Sequence, residues 1–86
     1  MGQKEKRIER LKTKPIDYTY DEARALLQSL GFEERQKGST SGSRVLFHRE
    51  SDNMSILLHK PHPSNEMDVA ATKQLLRQLK ESGDIK

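Results

Sequence analysis

Histidine and arginine come together in one stretch of this chain. Two runs, Gly42-Ser43-Arg44-Val45-Leu46-Phe47-His48-Arg49 and Met54-Ser55-Ile56-Leu57-Leu58-His59-Lys60, alternate in character. As extended strands they send Val45, Phe47, Ile56 and Leu58 to one face and Arg44, His48 and His59 to the other. Imidazole exchanges protons near neutral pH, and guanidinium stays cationic while gripping an anion through paired donors. A face carrying both has the parts to hold a phosphate and move a proton. His59-Lys60-Pro61-His62 also has a His-x-x-His spacing. Its prolines keep the segment extended, and neither a cysteine nor a carboxylate triad completes a metal site, so no metal and no cofactor is expected.

The two runs read as a β-hairpin. If Glu50-Ser51-Asp52-Asn53 is the loop, Arg49 pairs with Met54, and Arg44 lies opposite His59, Leu46 opposite Leu57 and His48 opposite Ser55. On the apolar face Val45 meets Leu58 and Phe47 meets Ile56. Upstream, residues 17–30 read as a helix: Thr19 and Glu22 make a capping box, and Tyr20, Ala23, Leu26, Leu27 and Leu30 form an apolar stripe. Gly31 is placed to end that helix in the left-handed region. Residues 32–37 read as a polar edge strand and residues 38–42 as a loop of small residues. Downstream, Pro61 and Pro63 stop the pairing. Ser64 or Asn65 is then expected to cap a second long helix, with Glu66 and Asp68 near its positive end. Ala71, Thr72, Leu75, Leu76 and Leu79 are its buried stripe, and Gly83 closes it. The expected architecture is a single α+β domain over residues 16–86, helix–three-stranded antiparallel sheet–helix, with the helices on one face and the other face open.

Composition narrows the function classes. The chain has 86 residues, room for one small domain with a thin core, and it has no cysteine and no tryptophan. Disulfide frameworks and thiol chemistry are therefore excluded. No apolar run approaches the length of a membrane span and the first residues are charged, so a soluble, cytoplasmic protein with no membrane partner is expected. The formal net charge is only +3. Its distribution is uneven: Lys4, Lys6, Arg7, Arg10, Lys12 and Lys14 stand against Glu5 and Glu9, which makes residues 1–15 a basic extension. Ile8 and Leu11 are its apolar positions, with little to bury, and it is expected to be either helical or disordered. A second basic centre, Arg35, Lys37, Arg44, Arg49 and Lys60, surrounds the hairpin. Clustered cations are the footprint of a polyanion partner.

Gly31-Phe32, Gly42-Ser43 followed by Val45 and Phe47, and Leu58-His59, in this order between two helices, resemble the HicA toxins of bacterial toxin–antitoxin pairs. The resemblance spans roughly residues 19–85 and leaves the basic extension outside. It implies a fold like the double-stranded-RNA-binding domain, cleavage of messenger RNA, and a HicB-like antitoxin that neutralises the toxin by covering its site. It also implies a histidine after Gly-Ser at the strand entry, where this chain has Arg44. A guanidinium cannot take a proton at working pH, so Arg44 is assigned to phosphate and transition-state charge. Proton transfer is assigned to His59 as general base or acid, with His48 or Lys60 as a secondary participant. Lys37, Ser43, Arg44, Arg49 and Lys60 are the expected RNA contacts. The chain is thus read as a metal-independent endoribonuclease toxin, monomeric alone or part of a larger toxin–antitoxin complex. The alternatives on the same fold are a non-catalytic RNA-binding module and a protein-interaction domain.

Overall fold

The computed structural model describes residues 2–35, 44–61 and 65–85. Six elements follow in order: α1 (Gln3–Lys12), α2 (Tyr20–Ser29), β1 (Glu33–Arg35), β2 (Arg44–Arg49), β3 (Met54–His59) and α3 (Val69–Glu81). The strands form one antiparallel sheet in the order β1-β2-β3. From α2 to α3 this is the expected α+β, double-stranded-RNA-binding-domain-like order. The hairpin register is the expected one at all six pairs, from Arg44 opposite His59 to Arg49 opposite Met54. Its loop turns at Asn53, which takes a φ of 54°, a left-handed conformation that asparagine tolerates better than most residues.

Parity along the strands decides the core. Val45, Phe47, Ile56 and Leu58 are buried with Ala23, Leu26 and Leu27 of α2 and Leu75, Leu76 and Leu79 of α3. The α2 capping box is formed: the Glu22 N–H donates to Thr19 Oγ1 at 3.1 Å, and the Thr19 N–H donates to Glu22 Oε1 at 3.0 Å. Gly31 ends that helix with a φ of 96°. That φ strains any residue with a side chain, and a Cβ there would also sit 3.3 Å from Arg49 Cδ, a contact that Arg49 would have to yield to.

Three stretches differ from the sequence reading. The second long helix is capped by Asp68, whose carboxylate accepts from the Ala71 N–H at 3.1 Å, and not by Ser64 or Asn65. Asn65 belongs to an extended segment instead: its carbonyl accepts from the Tyr20 N–H at 2.7 Å, and the Met67 N–H donates to the Tyr18 carbonyl at 2.8 Å. That bridge buries Met67 and Tyr18. α2 begins at Tyr20, with Thr19 as its N-cap, and not at residue 17. The basic extension, expected to have little to bury, forms α1 and inserts Leu11 fully into the core, with Ile8 packed against it. Lys37, the loop over residues 38–42, Ser43, His62, Pro63 and Ser64 lie outside the described residues.

Candidate functional site

The open face of the sheet is a grid of side chains set by the two registers. One transverse row is Arg44 and His59, the next is Arg35, Leu46 and Leu57, and the third is Glu33, His48 and Ser55. Arg44 and His59 are both exposed. Directly opposed side chains have Cβ atoms about 5 Å apart, so a guanidinium and an imidazole share one end of the face. Among the described residues Arg44 has no carboxylate partner. Arg35 does: Glu33 and Glu50 approach it at 3.6 and 3.5 Å. In the middle row Leu57 stands 47% exposed, an apolar platform with no covering element among the described residues.

His48 is separated from that end. It lies four residues along β2 from Arg44, about 13 Å at the rise of a strand. Its Nδ1 is 2.9 Å from Ser55 Oγ, which orients the ring across the sheet, with Glu33 on its other side. Arg44 and His59 are close enough to act on one small group, whereas His48 lies too far along the sheet to join them. Sequence reading counts Arg35 in the basic centre around the hairpin but does not place it, or Glu33, on this face. The period of two in residues 33–35 was the signal that could have placed them, since those odd positions follow β2's even ones onto the open face.

Arg49 and Lys60 point elsewhere. Arg49 was expected among the RNA contacts, but its odd position puts it on the covered face, where its side chain is only 11% exposed. It donates to Asp52 at 2.9 and 2.8 Å, to Asp84 at 2.9 and 3.0 Å, and to the Leu30 carbonyl at 2.9 Å. Its guanidinium lies 4.4 Å from the centre of the Phe32 ring. These bonds raise its already high pKa further, Asp52 first and then Asp84. Asp84 sits where burial pushes a carboxyl up, yet the hydrogen bonds from Arg49 and Ser82 outweigh it and hold the group below its ordinary value. Lys60 places Nζ 5.9 Å from the Tyr20 ring centre at the hairpin's end.

Among the described residues no group of three or more metal-binding side chains is present, and no helix is long and apolar enough to cross a membrane. A family model described as the HicA toxin of bacterial toxin–antitoxin systems matches residues 20–80. Comparison with curated proteins and with solved structures returned no match.

Proposed function

The chain belongs to the HicA toxin family of bacterial toxin–antitoxin systems, and from that premise we propose that its open sheet face binds and cleaves messenger RNA and is silenced by a HicB-like antitoxin. The observation that carries this reading is the pairing of Arg44 with His59 at one exposed end of the sheet. RNA cleavage through the neighbouring hydroxyl needs a base, a donor for the leaving group and a cation for the crowded phosphorus. His59, as neutral imidazole, takes the 2′-hydroxyl proton while the 2′-oxygen attacks phosphorus. Arg44 holds two non-bridging oxygens and offsets the charge that builds on them. The 5′-oxygen leaves with a proton from solvent, and a 2′,3′-cyclic phosphate remains. Imidazole supplies the base, guanidinium the cation and solvent the leaving-group proton, so the proposed cleavage calls on no metal. Leu57, beside the pair, offers an apolar surface against which a base can lie.

His59→Ala tests the reading, because an exposed strand position contributes little to the core. Wild-type chain is expected to arrest growth on induction and to leave messages with 2′,3′-cyclic phosphate ends. The variant is expected to retain its melting temperature and lose at least about a thousandfold in cleavage rate, within the range of a removed acid–base group and its oriented contacts. Undiminished cleavage by the variant rules His59 out. RNA that is bound by wild type but left intact favours the second reading, a non-catalytic RNA-binding module, to which the arginine at the Gly-Ser-His position lends support.

A further inference from the structure

The helical side of the molecule carries a second cationic centre that uses none of the sheet residues. Lys14, Lys73, Arg77 and Lys80 line a groove of about 250 Å³ with Leu76 in its wall. Lys73, Arg77 and Lys80 are spaced four and three residues apart on α3, so they stack along one flank of that helix, beside the stripe that enters the core. Lys14 reaches the groove from beyond the end of α1. The Lys14 N–H donates to the Leu11 carbonyl at 2.9 Å, and the residue takes a φ of 53°. Glycine is the usual occupant of such a left-handed helix end, and a lysine there is strained. Strain kept in an exposed cationic residue points to a use for its side chain. Among the described residues no carboxylate lines the groove and none of the four cations has an ion-pair partner.

We infer that this groove, closed by Lys14 of the N-terminal extension, binds backbone phosphates of the RNA at a second contact away from the cleavage face. Four cations converging on a small concavity repel one another until an anion enters, and 250 Å³ accommodates a phosphate group. A phosphodiester chain presents such groups at regular intervals and asks for no apolar rim. An acidic protein segment would bring apolar side chains with it, and Leu76, 3% exposed, is the single apolar residue of the lining among the described residues. The inference rests on the RNA reading of the sheet face, and it assigns to the extension a role in holding substrate.

The test is fluorescence anisotropy with a short labelled 2′-O-methyl oligouridylate, which cannot be cleaved, titrated at several salt concentrations. Lys73→Gln, Arg77→Gln and Lys80→Gln together are expected to weaken binding at least about tenfold and to reduce the salt slope by about 2, at about 0.7 per phosphate contact on a single strand. Lys14→Gly is expected to weaken binding and flatten the slope while melting at or above the wild-type temperature, since it relieves the left-handed strain as it removes the charge. A charge-matched control, Lys4→Gln with Lys6→Gln and Arg7→Gln, is expected to lose no more than about threefold. An equal loss in the control overturns the site in favour of bulk charge. Full binding by the groove variant leaves RNA on the sheet face alone. No binding by wild type removes the RNA reading and this inference together. Capture of deca-glutamate that the groove substitutions abolish, with oligouridylate affinity unchanged, reassigns the groove to an acidic protein.

Discussion

Arg44 and Arg49 stand on one strand five residues apart, and that odd number separates a solvent-facing side chain from a structural one. Arg44 faces solvent across from His59; Arg49 turns inward and ties Leu30, Asp52 and Asp84 together. Arg49→Gln is expected to cost about 2 kcal/mol of stability in denaturant melts, because charge-assisted bonds are lost and Asp84 keeps only Ser82. An unchanged midpoint would reject the latch. Arg44→His should leave the midpoint within about 0.5 kcal/mol and lower kcat/KM about tenfold or more, since a second imidazole cannot grip two phosphate oxygens. A gain in cleavage would mean that the strand entry works better with histidine and that Arg44 marks a weakened site. Tyr18 makes the opposite kind of statement: its hydroxyl is buried with no partner among the described residues, and burial raises its pKa. Tyr18→Phe should therefore be neutral or stabilise by up to about 1 kcal/mol in the same melts.

At the scale of elements, the helix ends are the most economical test of why the chain folds where it does. Asp68→Ala removes the acceptor for the Ala71 N–H and is expected to cost about 1 kcal/mol in thermal melts, whereas Asn65→Ala should cost less because its backbone carbonyl makes the bridge to Tyr20 and its side chain makes only an exposed bond, donating to Asp21 at 3.0 Å. A larger loss at Asn65 would mean that its bond to Asp21 holds the segment more firmly than the Asp68 cap holds the helix. The hairpin was legible because parity, a four-residue loop and two apolar pairs agree with one another, and only one register satisfies all three. Asp68 was harder to see: Ser64, Asn65 and Asp68 are all capping residue types, and the choice among them depends on residues 65–67 being taken up by pairing with residues 18–20, a contact distant in sequence. Leu11 was missed for the same reason. Its helix is polar and short, and nothing local says that α2 and α3 leave a seat for it. At the site, alternation gave the Arg44–His59 pair, but it also placed Arg49 on the covered face, a consequence that its charge obscured when it was grouped with the RNA contacts.

The whole molecule is held at two places by arginine straps that cross between elements. Arg10 of α1 binds Glu22 of α2 and, at 3.1 Å, Asp17 before it; Arg49 binds Asp52 in the hairpin loop and Asp84 beyond α3. The hydrogen bond from Arg10 holds Glu22 below its ordinary 4.5, that from Arg49 holds Asp52 below 3.8, and Asp84 is held below 3.8 against the opposing pull of burial. Carboxyls whose folded pKa is depressed bind fewer protons in the native state than in the unfolded chain at mildly acid pH. Their stabilisation is complete above the ordinary carboxyl values and is lost as pH falls through the lower folded ones. The melting temperature is therefore expected to be level from neutrality down to about pH 5 and to drop progressively below it. Glu22→Gln combined with Asp84→Asn should start about 2–3 kcal/mol less stable at neutral pH, and the gap should close as wild type is acidified. Part of the Glu22 contribution should also yield to salt, because that side chain is 35% exposed. A gap of constant size from neutrality to strong acid would mean that these carboxyls are not what ties α1 and the C-terminal segment to the fold. Full closure would place the acid sensitivity of the molecule in its two straps, leaving the sheet face free of any structural duty that competes with Arg44 and His59.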